Sequence, residues 1–161
     1  MAERSRGYVH RIDIKAPAAL VWRALTEPAL LTVWCGPGAR VTPRANGSYQ
    51  VRLNSDLSRE AHIDVFEPHR RLRLIYLSPR ELPDSEAVVV DDFIIDSEAG
   101  VTVVRLLGSG FPADEVWDAY AVRVRANWAQ ALARLKVCSE QLASGKTPAR
   151  APSSAPGRGK S

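Results

Sequence analysis

The chain has little of what usually marks specialised chemistry. Its two cysteines, Cys35 and Cys138, lie far apart and lack any metal-type spacing, so neither a disulfide framework nor a zinc site is expected. Its three histidines, His10, His62 and His69, fall on two strand-like segments and a turn. None pairs with Cys, Asp or Glu at the spacing of a metal site. His62 and Asp64 share the side opposite Ile63 and Val65, so all three histidines are expected to be structural or solvated. There is no Gly-x-Ser-x-Gly elbow, and Ser109 between Gly108 and Gly110 lacks the strand–turn–helix setting of a nucleophile. Cys35 lies near a helix end but has no identifiable base, so packing is its expected role, as burial is for Cys138. No phosphate loop or dinucleotide fingerprint occurs. No run reaches the roughly 18 apolar residues that cross a bilayer, and the charged opening MAERSRGYVHR is unlike a secretory leader. These absences lead to an expectation of a reduced, cytoplasmic protein with no metal, no cofactor and no membrane anchorage.

The formal net charge of +4 suggests nucleic-acid binding until it is located. Residues 144–161 carry Lys146, Arg150, Arg158 and Lys160 and no acid, which accounts for the whole excess. Residues 1–143 are therefore neutral and lack the electrostatic footprint of a nucleic-acid-binding domain. The terminal stretch KTPARAPSSAPGRGKS is too poor in apolar residues to order itself. It reads as a disordered basic tail over 144–161, following one domain over 1–143. A domain of that size buries enough surface to need no covalent staple.

What is present is periodicity. Tyr8, His10, Ile12 and Ile14 alternate with Arg11, Asp13 and Lys15, the period of a half-buried strand. Pro17 suits a first helical turn, and Leu20, Val21, Ala24 and Leu25 form a helical stripe that Pro28 stops. A second short helix is expected over 29–34, ended by Gly36-Pro37-Gly38. Asn46-Gly47 marks a turn. Further alternation follows at Tyr49, Val51 and Leu53, at Ala61, Ile63 and Val65, and at Leu72, Leu74 and Tyr76. Residues 88–95 and 102–107 complete six strand candidates with hairpin-sized gaps, the pattern of an antiparallel meander. Trp117, Tyr120, Ala121, Val124, Trp128, Ala131, Leu132, Leu135, Cys138 and Leu142 then recur at three-and-four spacing. About 30 residues of helix would span roughly 45 Å, enough to lie along a whole sheet. The expected fold is α+β, a curved sheet of six to seven antiparallel strands around a long C-terminal helix, in the order β-α-α-β-β-β-β-β-α.

These residues also resemble a known group. Ile14-Lys15-Ala16-Pro17, Val21-Trp22-Arg23-Ala24-Leu25-Thr26, then Pro28, Leu31, Trp34, Gly36 and Pro37, are similar to the opening motif of SRPBCC proteins. Those proteins share the helix-grip fold of START domains and the birch-pollen allergen. The branch most resembled is the one named for the activator of the 90-kDa heat-shock chaperone ATPase. Asn46-Gly47-Ser48-Tyr49, residues 66–72, residues 102–111, and Asn127-Trp128 with Leu132, Leu135 and Lys136 resemble its later motifs. The chain departs from that branch at Cys35, Gly108 and Asn127, where an aromatic residue, His and Gly are often found. The resemblance implies a helix-grip domain and a cavity between sheet and helix. It also raises a possible chaperone contact, and it leaves monomer and homodimer both open.

Two features bear on function. In Asp91-Asp92 one side chain of a regular strand must face inward, and Asp91 shares its face with Val89, Phe93 and Ile95. Either Asp91 enters an apolar interior and needs a partner or a raised pKa, or an irregular edge lets both acids reach water. Trp34, Tyr49, Tyr76, Trp117, Tyr120 and Trp128 supply aromatic surface, with Asn127 as a polar neighbour on the helix. Either they line a pocket for an apolar or aromatic small molecule, or they fill the core. Trp128 is placed at the closed end and Tyr120 nearer the opening. The expected function is binding of that small molecule. The alternatives are a chaperone-associated module and a cyclase or hydrolase of polyketide-like substrates.

Overall fold

A computed structural model of the chain describes residues 6–79, 82 and 87–148. Strand β1 covers Arg6–Ile14, helix α1 Ala18–Thr26 and helix α2 Pro28–Cys35. Strands β2 to β7 follow at Arg40–Val41, Ser48–Asn54, Leu57–Glu67, Arg71–Tyr76, Val90–Glu98 and Val101–Phe111, and helix α3 at Glu115–Ala143. The strands form one sheet in the order β1-β7-β6-β5-β4-β3-β2, with every neighbouring pair antiparallel. The sheet is curved and open, and the long helix lies in its grip. Helix α3 touches β1, β3, α1 and α2.

The element types follow local chemistry. The β6–β7 hairpin turns on Ala99 and Gly100, both at positive φ, as a two-residue turn matched to strand twist requires. Asn46, also at positive φ, and Gly47 join β2 to β3. A Cβ on Gly47 would lie 2.0 Å from the Thr42 carbonyl oxygen. Helix α3 starts at Asp114, whose carboxylate accepts from the Val116 amide at 3.1 Å, and Glu115 and Asp118 lie in its first turn, where the helix dipole favours acids. It ends in a Schellman closure. The Lys146 amide donates to the Gln141 carbonyl and the Gly145 amide to the Leu142 carbonyl, with Gly145 at φ 73°.

The elements differ from the periodicity at several points. Pro17 is the N-cap of α1 rather than part of its first turn, because its extended ψ of 149° precedes the helix. β2 is a two-residue strand, too short to show alternation. β6 begins at Val90, leaving Val88 outside and 56% exposed. β4 begins at Leu57, four residues before Ala61, which matters for the site below. Of the proposed tail, Ser144 and Gly145 close α3, and from residue 149 onward it lies outside the described residues.

Both thiols are buried. Burial pushes Cys35 up to about 12 and Cys138 up to about 11, and a protonated, enclosed thiol is a poor nucleophile. Native protein is therefore expected to resist a disulfide-exchange reagent such as Ellman's at pH 8 and to release both thiols on denaturation. Rapid labelling of either thiol in native protein would contradict this packing.

His10 provides a second test. Its ring is half-buried, and Nε2 lies 3.1 Å from the Arg125 carbonyl oxygen. Burial lowers its pKa, only partly opposed by that hydrogen bond, and the Arg125 charge lowers it further. The fold thus favours neutral imidazole, whereas the unfolded chain binds a proton near the ordinary value of about 6.5. Stability is expected to fall as pH drops below that value and to level off below the folded-state midpoint. A His10 ring titration followed by NMR should show a midpoint below the ordinary one. A midpoint at or above it would refute the assignment.

Candidate functional site

The concave face of the sheet carries a row of polar and aromatic side chains across five adjacent strands. β6 supplies Asp91, fully buried, on the same side as Phe93 and Ile95. Asp92 points the opposite way and takes a two-point ion pair from Arg71, with Nε at 2.9 Å and Nη2 at 2.7 Å. The two neighbouring acids therefore have separate arginines, one on each face of the sheet.

The inner arginine is Arg59, 3% exposed. It is on the extra four residues of β4, where Leu57, Arg59, Ala61 and Ile63 are all buried and the residues between them exposed. Its side chain crosses β5, with the guanidinium carbon 3.5 Å from the centroid of the Tyr76 ring, and Nη1 donates to Asp91 Oδ2 at 2.9 Å. Contact of this kind between a cation and an aromatic face is attractive, most of all away from water. Burial works against the charge of Arg59, but Tyr76, Asp91 and Tyr8 facing it hold its pKa above the ordinary value.

Asp91 receives two further donors. Trp128 Nε1 of α3 donates to Oδ2 at 3.0 Å, and the Tyr8 hydroxyl of β1 donates to Oδ1. A buried carboxylate requires such partners. Gly108 makes the Tyr8 contact possible. It is opposite Tyr8 on one side and Asp91 on the other, and the Tyr8 ring lies across its bare backbone. A Cβ at position 108 would sit 2.2 Å from Tyr8 Cζ. Gly108→Ala is therefore expected to expel the ring, break the bond to Asp91 and cost about 1–3 kcal/mol by overpacking. Tyr8→Ala in the same chain should relieve the clash, and an additive loss in the double variant would argue against it.

Phe111, Tyr120 and Trp117 continue the aromatic surface toward the start of α3, with centroids 6.3 Å apart for Phe111–Tyr120 and 5.7 Å for Trp117–Tyr120. Phe93 packs edge-on to Trp128 at 5.5 Å. Two buried polar atoms in this cluster find no partner, Arg59 Nε and the Tyr76 hydroxyl. The phenol lies in the field of Asp91. Its pKa is raised first by burial and then by that charge, so it is a neutral donor.

Of the residues singled out in the sequence, Tyr76, Asp91, Tyr120 and Trp128 meet around Arg59, and Trp117 adjoins them through Tyr120. Trp34 and Tyr49 are elsewhere. Trp34 Nε1 donates to the Ala24 carbonyl and the Tyr49 hydroxyl to the Leu25 carbonyl, each at 2.7 Å, satisfying the last turn of α1. Asn127 is on the flank of α3, accepting from Asn54 Nδ2 and donating to the Arg123 carbonyl, each at 2.8 Å. Trp34 also borders a hollow of about 240 Å³ between α2 and α3, with Val33, Arg134, Val137 and Cys138. Arg59, Tyr8, Gly108 and Phe111 are the site residues that the sequence reading missed. Continuing the alternation of Ala61 and Ile63 backward by two would have found Arg59. Among the described residues no group of His, Cys, Asp and Glu is arranged to hold a metal, and no helix is long and apolar enough to cross a membrane.

The sequence profile of a family described as Activator of Hsp90 ATPase homolog 1-like protein matches residues 15–140. Among curated proteins none matches. Solved structures share the fold. A Mesorhizobium loti protein, MLL2253, is 20% identical over 84% of this chain and 98% of its own, with a TM-score of 0.72. The Aha1 dimer from Colwellia psychrerythraea is 21% identical over 88% and 98%, with a TM-score of 0.71. CalU16 from Micromonospora echinospora is 21% identical over 84% and 76%, with a TM-score of 0.65.

Proposed function

The chain belongs to the family of Activator of Hsp90 ATPase homolog 1-like proteins, and from that premise we propose that it binds a flat, apolar small molecule between the sheet and α3. The observation that carries this reading is the pair of buried, unpartnered donors, Arg59 Nε and the Tyr76 hydroxyl, set among aromatic rings. A buried donor left without an acceptor costs about 1–3 kcal/mol. An acceptor on a bound molecule would recover that energy, while its apolar body replaced contacts among the rings. Tyr76 would receive the ligand, Asp91 would hold Arg59 in place, and Trp128 would form the floor. Tyr120 and Trp117, on the first turns of α3, would be the groups that yield to admit it. Trp34, Tyr49 and Asn127 would keep the frame around that space.

The test is a titration of the full chain with fluorene, a flat apolar probe, followed by quenching of tryptophan fluorescence. Saturable quenching is expected, with an affinity that changes in Tyr120→Ala while the fold is kept. Failure to bind would overturn this reading and leave chaperone contact, suggested by the family description, as the account to pursue.

A further inference from the structure

We infer that the polar end of the ligand is an uncharged hydrogen-bond acceptor of the carbonyl class, not a carboxylate or a phosphate. This deepens the binding reading above and rests on it. The charge of the cluster is already balanced, because Asp91 neutralises Arg59 at 2.9 Å with side chains 0% and 2% exposed. An anion added there would leave one uncompensated negative charge beside Asp91 in a medium of low dielectric, which is costly. An acceptor without charge meets no such penalty.

The hydrogen-bond inventory gives the same direction. Both oxygens of Asp91 are engaged, by Tyr8 on one side and by Arg59 and Trp128 on the other. The two unpartnered atoms are Arg59 Nε, which only donates, and the Tyr76 hydroxyl, which has a proton to give. What the cluster lacks is an acceptor. A ligand offering only hydroxyl or amine hydrogens would find the acidic acceptor already surrounded. A conjugated ketone offers an oxygen with two lone pairs on a flat frame that can lie among Tyr76, Tyr120, Phe111 and Trp128.

Three probes of one shape separate the possibilities: fluorene, 9-fluorenone and 9-fluorenone-2-carboxylate, each titrated into the full chain. Two recovered hydrogen bonds of about 1 kcal/mol each should make fluorenone bind roughly tenfold or more tighter than fluorene. The carboxylate should bind more weakly than fluorenone. Tyr76→Phe keeps the ring beneath Arg59 and deletes only the hydroxyl, so it should fold normally by thermal melt. It should lose a large part of the preference for fluorenone, and the infrared carbonyl stretch of the bound ketone should move up. Equal binding of all three probes, or tightest binding of the carboxylate, would overturn the inference and leave the binding site standing. An unchanged ketone preference and carbonyl stretch in Tyr76→Phe would overturn it too. No binding by any probe would remove the reading on which it rests, and the inference with it.

Discussion

Asp91→Ala is expected to remove about 3–5 kcal/mol of folding stability, because it strands a buried guanidinium without its counter-ion. The aromatic faces that also meet Arg59, Tyr76 at 3.5 Å and Phe111 at 5.8 Å, offer a quadrupole and not a charge. Tyr8 and Trp128 would lose their acceptor at the same time. Replacing both partners, Arg59→Met with Asp91→Leu, should recover much of the loss, since a well-packed apolar pair avoids the desolvation that the ions suffer. Urea unfolding of the single and double variants measures both. The Arg71–Asp92 pair is the internal control. It is on the outer face with side chains 36% and 14% exposed, so Asp92→Ala should cost at most about 1 kcal/mol. Equal losses at positions 91 and 92 would show that the inner pair is not sealed from water.

Truncating Trp128 should be comparably severe, at about 3–5 kcal/mol for Trp128→Ala. The ring is fully buried, packs edge-on to Phe93, and joins α3 to the sheet through Asp91. Trp128→Phe separates the two contributions. It keeps an aromatic body and deletes the N–H, leaving Asp91 with Tyr8 and Arg59 as donors, and about 1–2 kcal/mol should be lost. Denaturant midpoints at constant slope decide it. A Phe variant as unstable as the Ala variant would mean that the hydrogen bond, and not the ring, holds the helix to the sheet.

Much of the frame was legible because it is written in short-range patterns. Period-two alternation placed β1, β3, β5 and the inward face of β6. The three-and-four stripe from Trp117 to Leu142 gave the buried side of α3, and all of its residues but Ala121 and Leu142 are buried. Asn46-Gly47, Pro28 and Gly36 marked turns and helix ends through backbone chemistry that acts locally. The choice of Asp91 over Asp92 as the inward acid followed from the same pleat. Alternation was silent where a charge interrupted it. Arg59 occupies an apolar place in β4, so the strand seemed to start at Ala61 and the arginine fell outside it.

The chain by itself therefore determined the alternation of faces along its strands, with Asp91 the inward acid if its strand is regular. It could not determine what that carboxylate meets. Its partners come from 32 residues away at Arg59, 37 at Trp128 and 83 at Tyr8, distances over which periodicity carries no information. Only the order of strands in the sheet brings β4, β5, β6, β7 and β1 side by side. Only the missing side chain of Gly108 opens the path that the Tyr8 hydroxyl takes to Asp91. The same packing gave Trp34 and Tyr49 to the carbonyls of α1, while leaving Arg59 Nε and the Tyr76 hydroxyl without an acceptor. Hydrogen bonds need a partner within about 3 Å, and which atoms come that close is decided by the folded chain as a whole.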